Sequence, residues 1–253
     1  MHRLLFAAVA AALLLASGRA EADPDALWKI VHGKCVPDQE QHADPAPCAL
    51  VDLQGGAERG YVVLKDTVGK TQYLLIPTAR RIGIEAPALL QPDAPNYFAA
   101  AWRQRGFVER AAGRTLPSTA LGLAINSIFA RSQDQLHIHI DCVKPDVAAA
   151  LRRQLSAIGD QWTPLAEPIV GKPYRAMRVR ARELDGVDPF KLLADGVPGA
   201  AAAMALETLA IVGVEFEDGQ PGFVILNTRA DPAHGNRGDG EGVLDHSCAV
   251  ARE

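Results

Sequence analysis

The feature that most constrains the fold of this chain is a short segment in which polar and apolar residues alternate. It reads Gln-Leu-His-Ile-His-Ile-Asp over residues 135–141. Because successive side chains of an extended strand point to opposite faces, the apolar residues would face a core and the polar ones an open surface. The polar face carries Gln135, His137, His139 and Asp141. The segment therefore predicts a half-buried strand that displays two imidazoles side by side.

The composition is that of a folded protein without a nucleic-acid partner. The chain has 253 residues, of which 48% are hydrophobic and 22% charged, so there is enough apolar material for a sizeable core. The formal net charge is -4, and acidic and basic residues are interleaved. Nucleic-acid binding usually needs a basic patch, and the sequence has none that stands out.

The first 22 residues have the three parts of a secretory signal. A basic start at residues 1–3 is followed by an unbroken apolar run over residues 4–16 and by Ala-Glu-Ala at residues 20–22. The run is shorter than the roughly 20 residues that a membrane-spanning helix needs. We therefore expect export, with cleavage of the segment as the first interpretation and an uncleaved membrane anchor as the alternative.

Four cysteines form an even set, as expected for an exported protein in an oxidising compartment: Cys35, Cys48, Cys142 and Cys248. The first two enclose a Pro-rich polar stretch that has little else to hold it, so we pair them with each other. The other two would then tie the C-terminal region to the end of the histidine strand. Four cysteines permit three connectivities, and the sequence leaves the other two open.

The patterns along the chain predict an α+β fold in which one order of elements occurs twice. After an N-terminal helix that starts at residues 23–24, strands at 61–64 and 72–76 form a hairpin. A helix capped by Asn96 and strands at 120–126 and 135–143 follow, and then a helix that starts at Pro145. The second part has a strand at 174–182, a helical stretch at 190–206 and strands at 209–216 and 223–227.

This repeated order predicts an antiparallel sheet with flanking helices and a degenerate internal duplication. Residues 23–165 would be the catalytic half and residues 166–253 a second half without the histidines. Chance is the alternative, because α+β proteins often show such an order. The Gly- and Asp-rich stretch at 230–242 reads as a mobile loop.

The histidine segment resembles the His-φ-His-φ-His strand of the histidine-triad superfamily of nucleotide hydrolases. Residues 73–77 resemble the strand ending in proline that enters the family's base pocket, and residues 121–126 resemble the strand ending in asparagine. The export signal, the cysteines and the stretch Ala-Ile-Asn-Ser at 124–127, followed by His-Ile-His-Ile-x-Cys, resemble the bacterial CDP-diacylglycerol pyrophosphatases. The resemblance covers most of the chain and implies a histidine-triad-like sheet on the periplasmic side of the inner membrane.

The resemblance also implies a mechanism without a metal or another cofactor. His137, in the second histidine position, would attack the α-phosphorus of CDP-diacylglycerol and form a nucleotidyl-histidine, which water then hydrolyses to CMP. Phosphatidate is the other product. Protonated His139 would hydrogen-bond the phosphate oxygens. Gln135 replaces the first histidine, and Ser132 and Asn126 match polar positions that contact phosphates, although both are also ordinary turn residues.

Several alternatives remain open at the level of sequence. A shifted register would place His137, His139 and Asp141 in the three positions and make His139 the nucleophile, although the following Ile-x-Cys favours the first register. The substrate could be a soluble nucleotide conjugate, or the same three residues could form a periplasmic metal-binding module. The membrane surface is an expected partner, and the chain is expected to be a monomer or a homodimer.

Charged residues outside this segment have simpler expected roles. Arg178, Arg180 and Arg182 share one face of a predicted strand and are expected to be solvated, with anionic lipid headgroups as the alternative partner. Four other histidines are predicted to lie on the surface because no ligand spacing connects them: His32, His42, His234 and His246.

Overall fold

A computed structural model describes residues 23–252, so the expected signal segment lies outside the described residues. One antiparallel sheet organises the fold. Its strands are β1 (Leu50–Asp52), β2 (Tyr61–Lys65), β3 (Tyr73–Pro77), β4 (Leu121–Ile125), β5 (Ile138–Val143), β6 (Thr163–Pro164), β7 (Arg175–Val179), β8 (Leu209–Glu215), β9 (Pro221–Asn227) and β10 (Leu244–Asp245). Their order is β1-β2-β3-β5-β4-β8-β9-β7-β6, and β10 pairs with β5 outside this path. The predicted α+β class is therefore confirmed.

The order of the strands is symmetrical about the sheet's middle. β4 and β8 are antiparallel neighbours there, with Leu123 opposite Ile211. On one side lie β5 and β3, and on the other lie β9 and β7. Counted outward from the middle, the strands are β4, β5 and β3 on one side and β8, β9 and β7 on the other. In each half, the second, third and first of three consecutive strands therefore follow one another outward.

Among the described residues, six α-helices lie along the sheet: α1 (Ala26–Ile30), α2 (Val36–His42), α3 (Tyr97–Arg103), α4 (Gly106–Ala112), α5 (Pro145–Gln154) and α6 (Pro189–Gly196). A π-helical turn, Val31–Cys35, joins α1 to α2, so residues 26–42 form one continuous helical segment. None of the helices in the described part of the chain has both the length and the apolar character needed to cross a membrane. Asn96 caps α3 as predicted, since its Oδ1 accepts a hydrogen bond from Ala99 N at 2.9 Å.

The alternation of the histidine segment separates two faces as predicted, but every residue of β5 is buried, so the predicted open surface is wrong. Leu136, Ile138 and Ile140 are buried in the main apolar core, which aromatic side chains of α3 and α6 cover. His139 lies on the other face of the sheet, directly opposite Leu74 on β3 and Ala124 on β4. These two neighbours belong to different apolar clusters, one under α1 and α2 and one under α5. The imidazole therefore lies between two small cores.

Both disulfides join the cysteines that the sequence analysis paired. Cys35 and Cys48 have their Cα atoms 5.7 Å apart, and Cys142 and Cys248 have theirs 5.2 Å apart. The first bond fastens the helical segment 26–42 to the sheet's edge. The second fastens the C-terminal region to β5.

Several predicted boundaries are wrong. The strand predicted from residue 135 begins at Ile138, because its ladder with β3 starts at the pair Leu75 and Ile138. The stretch between Cys35 and Cys48 is helical as far as His42, and the helical stretch predicted over 190–206 ends at Gly196.

The stretch 230–242 is not a free loop. Ser127 N donates to Gly238 O at 2.9 Å, and Ser127 Oγ donates to Arg237 O at 2.6 Å. The side chain of Asn236 is buried and donates to Thr228 Oγ1 at 2.9 Å. Glycine and asparagine permit a tight path along the ends of β4 and β8, which is why a composition typical of mobile loops forms an ordered one.

Candidate active site

The two imidazoles form the floor of a cavity of about 330 Å³. The ring centroids of His137 and His139 are 4.9 Å apart, with the rings nearly perpendicular. One wall is apolar and consists of Ala26, Leu27 and Ile30 of α1 with Leu74 of β3. A second wall is polar and contains Asn126, Ser132, Gln133 and Glu241, and the turn between β2 and β3 adds Asp66, Thr67 and Val68 to the lining. The cavity thus combines an apolar wall with a larger set of polar and titratable groups, which suits a small ligand that has both apolar and charged parts.

A single hydrogen bond fixes the tautomer of His137. Its Nδ1 atom lies 2.7 Å from the backbone oxygen of Gln135. A carbonyl oxygen can only accept, so Nδ1 carries the proton and Nε2 keeps its lone pair. Burial lowers the pKa of His137, which keeps the ring neutral at neutral pH. His137 therefore has the protonation state of a nucleophile.

His139 is also neutral, for a related reason. Burial, and then the nearby His137, lower the pKa of His139 to about 4. Neither ring nitrogen has a hydrogen-bond partner, although Nδ1 lies 3.3 Å from Glu241 Oε1. An arriving anionic phosphate would favour the charged form and raise this pKa. The ring is thus free to bind a ligand and take up a proton with it.

Glu241, which the sequence analysis did not single out, is the cavity's fixed anion. Its carboxylate accepts hydrogen bonds from Gln72 Nε2 at 3.0 Å and Asn126 Nδ2 at 3.2 Å. Burial by itself would raise the pKa of Glu241, but these hydrogen bonds and the adjacent His246 lower it far below its usual range. The carboxylate is therefore ionised beside His139.

His246 connects Glu241 to a second buried carboxylate. Its Nε2 lies 3.3 Å from Glu241 Oε1, and its Nδ1 lies 3.1 Å from Oδ2 of Asp141. Asp141 is fully buried and also accepts a hydrogen bond from Thr71 Oγ1 at 2.6 Å. The two carboxylates raise the pKa of His246 to about 10, so the ring is a cation at neutral pH.

The prediction that His246 is a plain surface residue is therefore wrong. A signal for its true position was available in the sequence. His246 lies two residues before Cys248, and Asp141 lies next to Cys142, so pairing these cysteines places the histidine beside the aspartate. Glu241 had no such signal, because no cysteine or periodic pattern links residues 230–242 to the histidine strand.

The three predicted substrate ligands have different positions. Asn126 lines the cavity, and its Oδ1 accepts a hydrogen bond from Glu241 N at 3.0 Å. Ser132 also lines the cavity and is exposed. Gln135 is completely buried outside it. Its Nε2 donates to the backbone oxygens of Pro77 and Ala79, both at 3.0 Å, and its Oε1 accepts from Arg81 N at 3.2 Å. In this position Gln135 supports the backbone from which His137 projects.

The remaining predicted surface residues are on the surface. His32 stacks on Trp28, His234 is 83% exposed beside Asp231, and His42 is exposed. Arg178 and Arg180 form ion pairs with Asp160 and Asp218. They lie on β7 and the residues after it, away from the cavity.

The metal-binding alternative needs ligands that converge. Within residues 23–252, no group of three or more His, Cys, Asp or Glu side chains is arranged to hold a metal ion. The side chain of Asp141 is already engaged by Thr71 and His246. The geometry therefore offers that alternative no specific support.

An α+β fold whose antiparallel sheet holds two neutral imidazoles in one small cavity offers groups that a hydrolase or transferase can use. The family model for CDP-diacylglycerol pyrophosphatase matches residues 22–252. The CDP-diacylglycerol pyrophosphatase of Yersinia pestis is 42% identical over 229 residues, which are 90% of this chain and 86% of that protein. The chain belongs to the CDP-diacylglycerol pyrophosphatase family, as its resemblance predicts.

Proposed function

We propose that this protein hydrolyses CDP-diacylglycerol through a covalent intermediate on His137. Family membership supplies the reaction, which is hydrolysis of the phosphoanhydride bond. The hydrogen bond from His137 Nδ1 to the Gln135 carbonyl is the observation that carries the residue assignment, because it leaves Nε2 unprotonated. The shifted register would instead use His139, whose nitrogens no hydrogen bond orients.

The reaction has two displacements. Nε2 of His137 attacks the α-phosphorus, the bond from that phosphorus to the bridging oxygen breaks, and phosphatidate leaves. Water then attacks the same phosphorus, breaks the phosphorus–nitrogen bond and releases CMP. Phosphorylation makes the imidazole cationic, and the Gln135 carbonyl that accepts from Nδ1 stabilises that charge.

His139 and Glu241 act together on the phosphates. Binding of the anionic diphosphate raises the pKa of His139, which then donates from one nitrogen to a phosphate oxygen and from Nδ1 to Glu241. The 3.3 Å between Nδ1 and Glu241 Oε1 makes the second contact accessible by a small rotation. Asn126 and Ser132 donate to phosphate oxygens from the polar wall, and the apolar wall formed by α1 contacts the nucleoside.

The symmetrical order of the strands supports an internal duplication with a histidine-triad-like fold. β7, β8 and β9 take the places of β3, β4 and β5, while residues 166–253 contain neither of the paired histidines. A chain that builds both halves of the sheet itself functions as a monomer. The signal-like residues 1–22 and the two disulfides support export to the periplasmic side of the inner membrane.

Rapid quenching in alkaline detergent, which preserves the acid-labile phosphorus–nitrogen bond of a modified histidine, tests the chemistry on enzyme mixed with substrate labelled in the α-phosphate. We expect label on the wild-type protein and on the exposed-histidine control His234→Ala, and none on His137→Ala, with or without chelator. Label on His137→Ala, mapped to His139, would establish the shifted register instead. Absence of label from the wild type during turnover would refute the covalent intermediate.

A further inference from the structure

The cavity is too small for the whole substrate. Sites for drug-sized ligands have volumes of about 300–1,000 Å³, and this cavity, at about 330 Å³, is at the lower end of that range. It can take the nucleotide and diphosphate but not two long acyl chains in addition. The diacylglycerol part of the substrate must therefore stay outside the cavity while the diphosphate reaches His137.

Large apolar side chains are exposed around this cavity. Among residues 23–252, four large apolar side chains are exposed: Val68, Ile82, Ile128 and Phe129. Val68, 54% exposed, lines the cavity itself from the turn between β2 and β3. Ile128 and Phe129, 44% and 42% exposed, directly precede the cavity-lining Ala130. Such clustering beside a binding site marks an interaction surface.

The exposed pair is held by a fixed backbone. Ile128 N donates to Ala205 O at 2.8 Å, and Phe129 N donates to Ser127 Oγ at 3.2 Å. The guanidinium of Arg237 donates to Phe129 O, with Nε at 2.8 Å. The main chain therefore holds both side chains toward solvent and places a cation beside them. Apolar side chains next to a cation suit a surface of anionic phospholipid.

The N-terminal sequence leads to the same side of the molecule. The apolar run at residues 4–16 is followed by residues 17–25, and Ala26 already lines the cavity. The described part of the chain therefore begins, at residue 23, only three residues before a residue of the cavity wall.

We propose that Val68, Ile128 and Phe129 form a bilayer-contacting rim, which inserts between phospholipids while the nucleotide head enters the cavity. The proposal rests on the proposed function, since it takes a bilayer-held substrate to be hydrolysed in this cavity. The acyl chains remain in the bilayer throughout the reaction.

Fluorescence tests contact with the bilayer without using activity. All four cysteines are paired, so Ile128→Cys provides a single labelling site for an environment-sensitive fluorophore. Leu165→Cys, on the partly buried Leu165 after edge strand β6, is the control. In the full-length protein carrying His137→Ala, vesicles of phosphatidylcholine and phosphatidylglycerol should shift the emission at position 128 to the blue. Equal shifts at both positions, or no shift at 128, would overturn the proposal.

Kinetics test whether the rim serves the reaction. The double variant Ile128→Ser, Phe129→Ser should lose at least about tenfold in kcat/KM on CDP-diacylglycerol in vesicles, because two apolar side chains no longer enter the bilayer. On a water-soluble analogue with short acyl chains it should stay within twofold of the wild type. Equal loss on both substrates would show damage to the site and refute a bilayer role. If the wild-type protein hydrolysed neither substrate, the proposed function would be refuted. The fluorescence experiment would still show whether position 128 contacts the bilayer.

Discussion

Removal of the disulfide between Cys142 and Cys248 tests how the C-terminal region supports both fold and site. This bond closes a loop with a sequence separation of 106, whereas Cys35 and Cys48 close one of 13. Loop-closure entropy then gives about 4.8 kcal/mol at 25 °C for the first bond and about 2.9 kcal/mol for the second. We therefore expect the variant Cys142→Ala, Cys248→Ala to be less stable than Cys35→Ala, Cys48→Ala by about 2 kcal/mol.

The same change should affect catalysis through His246. The pairing of β10 with β5 and the buried Val243 and Leu244 still hold the segment after the bond is lost, so the protein can fold. The residues after β10 lose their covalent tether, however. His246 then keeps only the hydrogen bond from Lys70 N to its backbone oxygen and its contacts with Asp141 and Glu241, so it holds Glu241 beside His139 less firmly. We expect kcat to fall about tenfold, because a weakened hydrogen bond to a charged group costs about 1.5 kcal/mol. The variant without the Cys35–Cys48 bond should lose less of its kcat, because His246 and Glu241 keep their positions.

Urea unfolding of both double variants gives their free energies of unfolding. Initial rates on a water-soluble substrate, measured under conditions in which the variants are folded, give kcat. Equal destabilisation by the two changes, or a reversed order, would refute the loop-closure argument. An unchanged kcat in folded Cys142→Ala, Cys248→Ala would show that the position of His246 does not depend on the disulfide.

Three further results are expected. Glu241→Gln should lower kcat about 10- to 100-fold in steady-state assays, because His139 loses the anion that supports its protonated form and a hydrogen bond between charged groups contributes about 1.5–3 kcal/mol; full activity would exclude that role. Thermal unfolding should show maximal stability near pH 6.5–7. The pKa of His246 is raised to about 10 in the folded protein, so the stabilisation from its charged form is lost as the pH rises from about 6.5 to 10. The pKa of His139 is lowered to about 4, so the folded protein loses stability as the pH drops from about 6.5 to 4. His246→Gln should flatten the alkaline limb alone. Gln135→Leu should cost about 3 kcal/mol or more in urea unfolding, because three backbone groups lose their partner, whereas Ser132→Ala should leave stability unchanged.

The sequence was informative where a local pattern determines the structure. Alternation correctly separated Ile138 and Ile140 from His139, because the side-chain period of a strand is a backbone property. The same rule assigned Gln135 to the open face, but this assignment was wrong. Gln135 precedes the strand, whose hydrogen-bonded ladder begins only at Ile138. Before that residue, hydrogen bonds to residues 77–81 set the side-chain direction, and they depend on tertiary contacts that no local pattern encodes.

Glu241 illustrates the same limit at longer range. It reaches His139 only because Gly240 packs against the end of β4, where an added Cβ would lie 2.5 Å from Ile125 O. A glycine in a Gly-rich stretch reads as flexibility in the sequence, yet here it permits close approach of two backbone segments. The residue next to it then supplies a carboxylate to the cavity.

The charges around the cavity indicate what the carboxylate of Glu241 does for substrate binding. Asp141, Glu241 and the cavity-lining Asp66 are acidic, and the cation His246 contacts the first two, so negative charge remains uncompensated beside the neutral His139. This charge alone would repel a diphosphate. A proton on His139 removes the repulsion and gives the ring two anionic partners, Glu241 and the substrate, each of which favours the charged form. Protonation of His139 is thereby coupled to substrate binding, while the neutral state of His137 is set separately by burial and by the Gln135 carbonyl. Two adjacent histidines on one strand can thus act in different protonation states, as a nucleophile and a phosphate donor require.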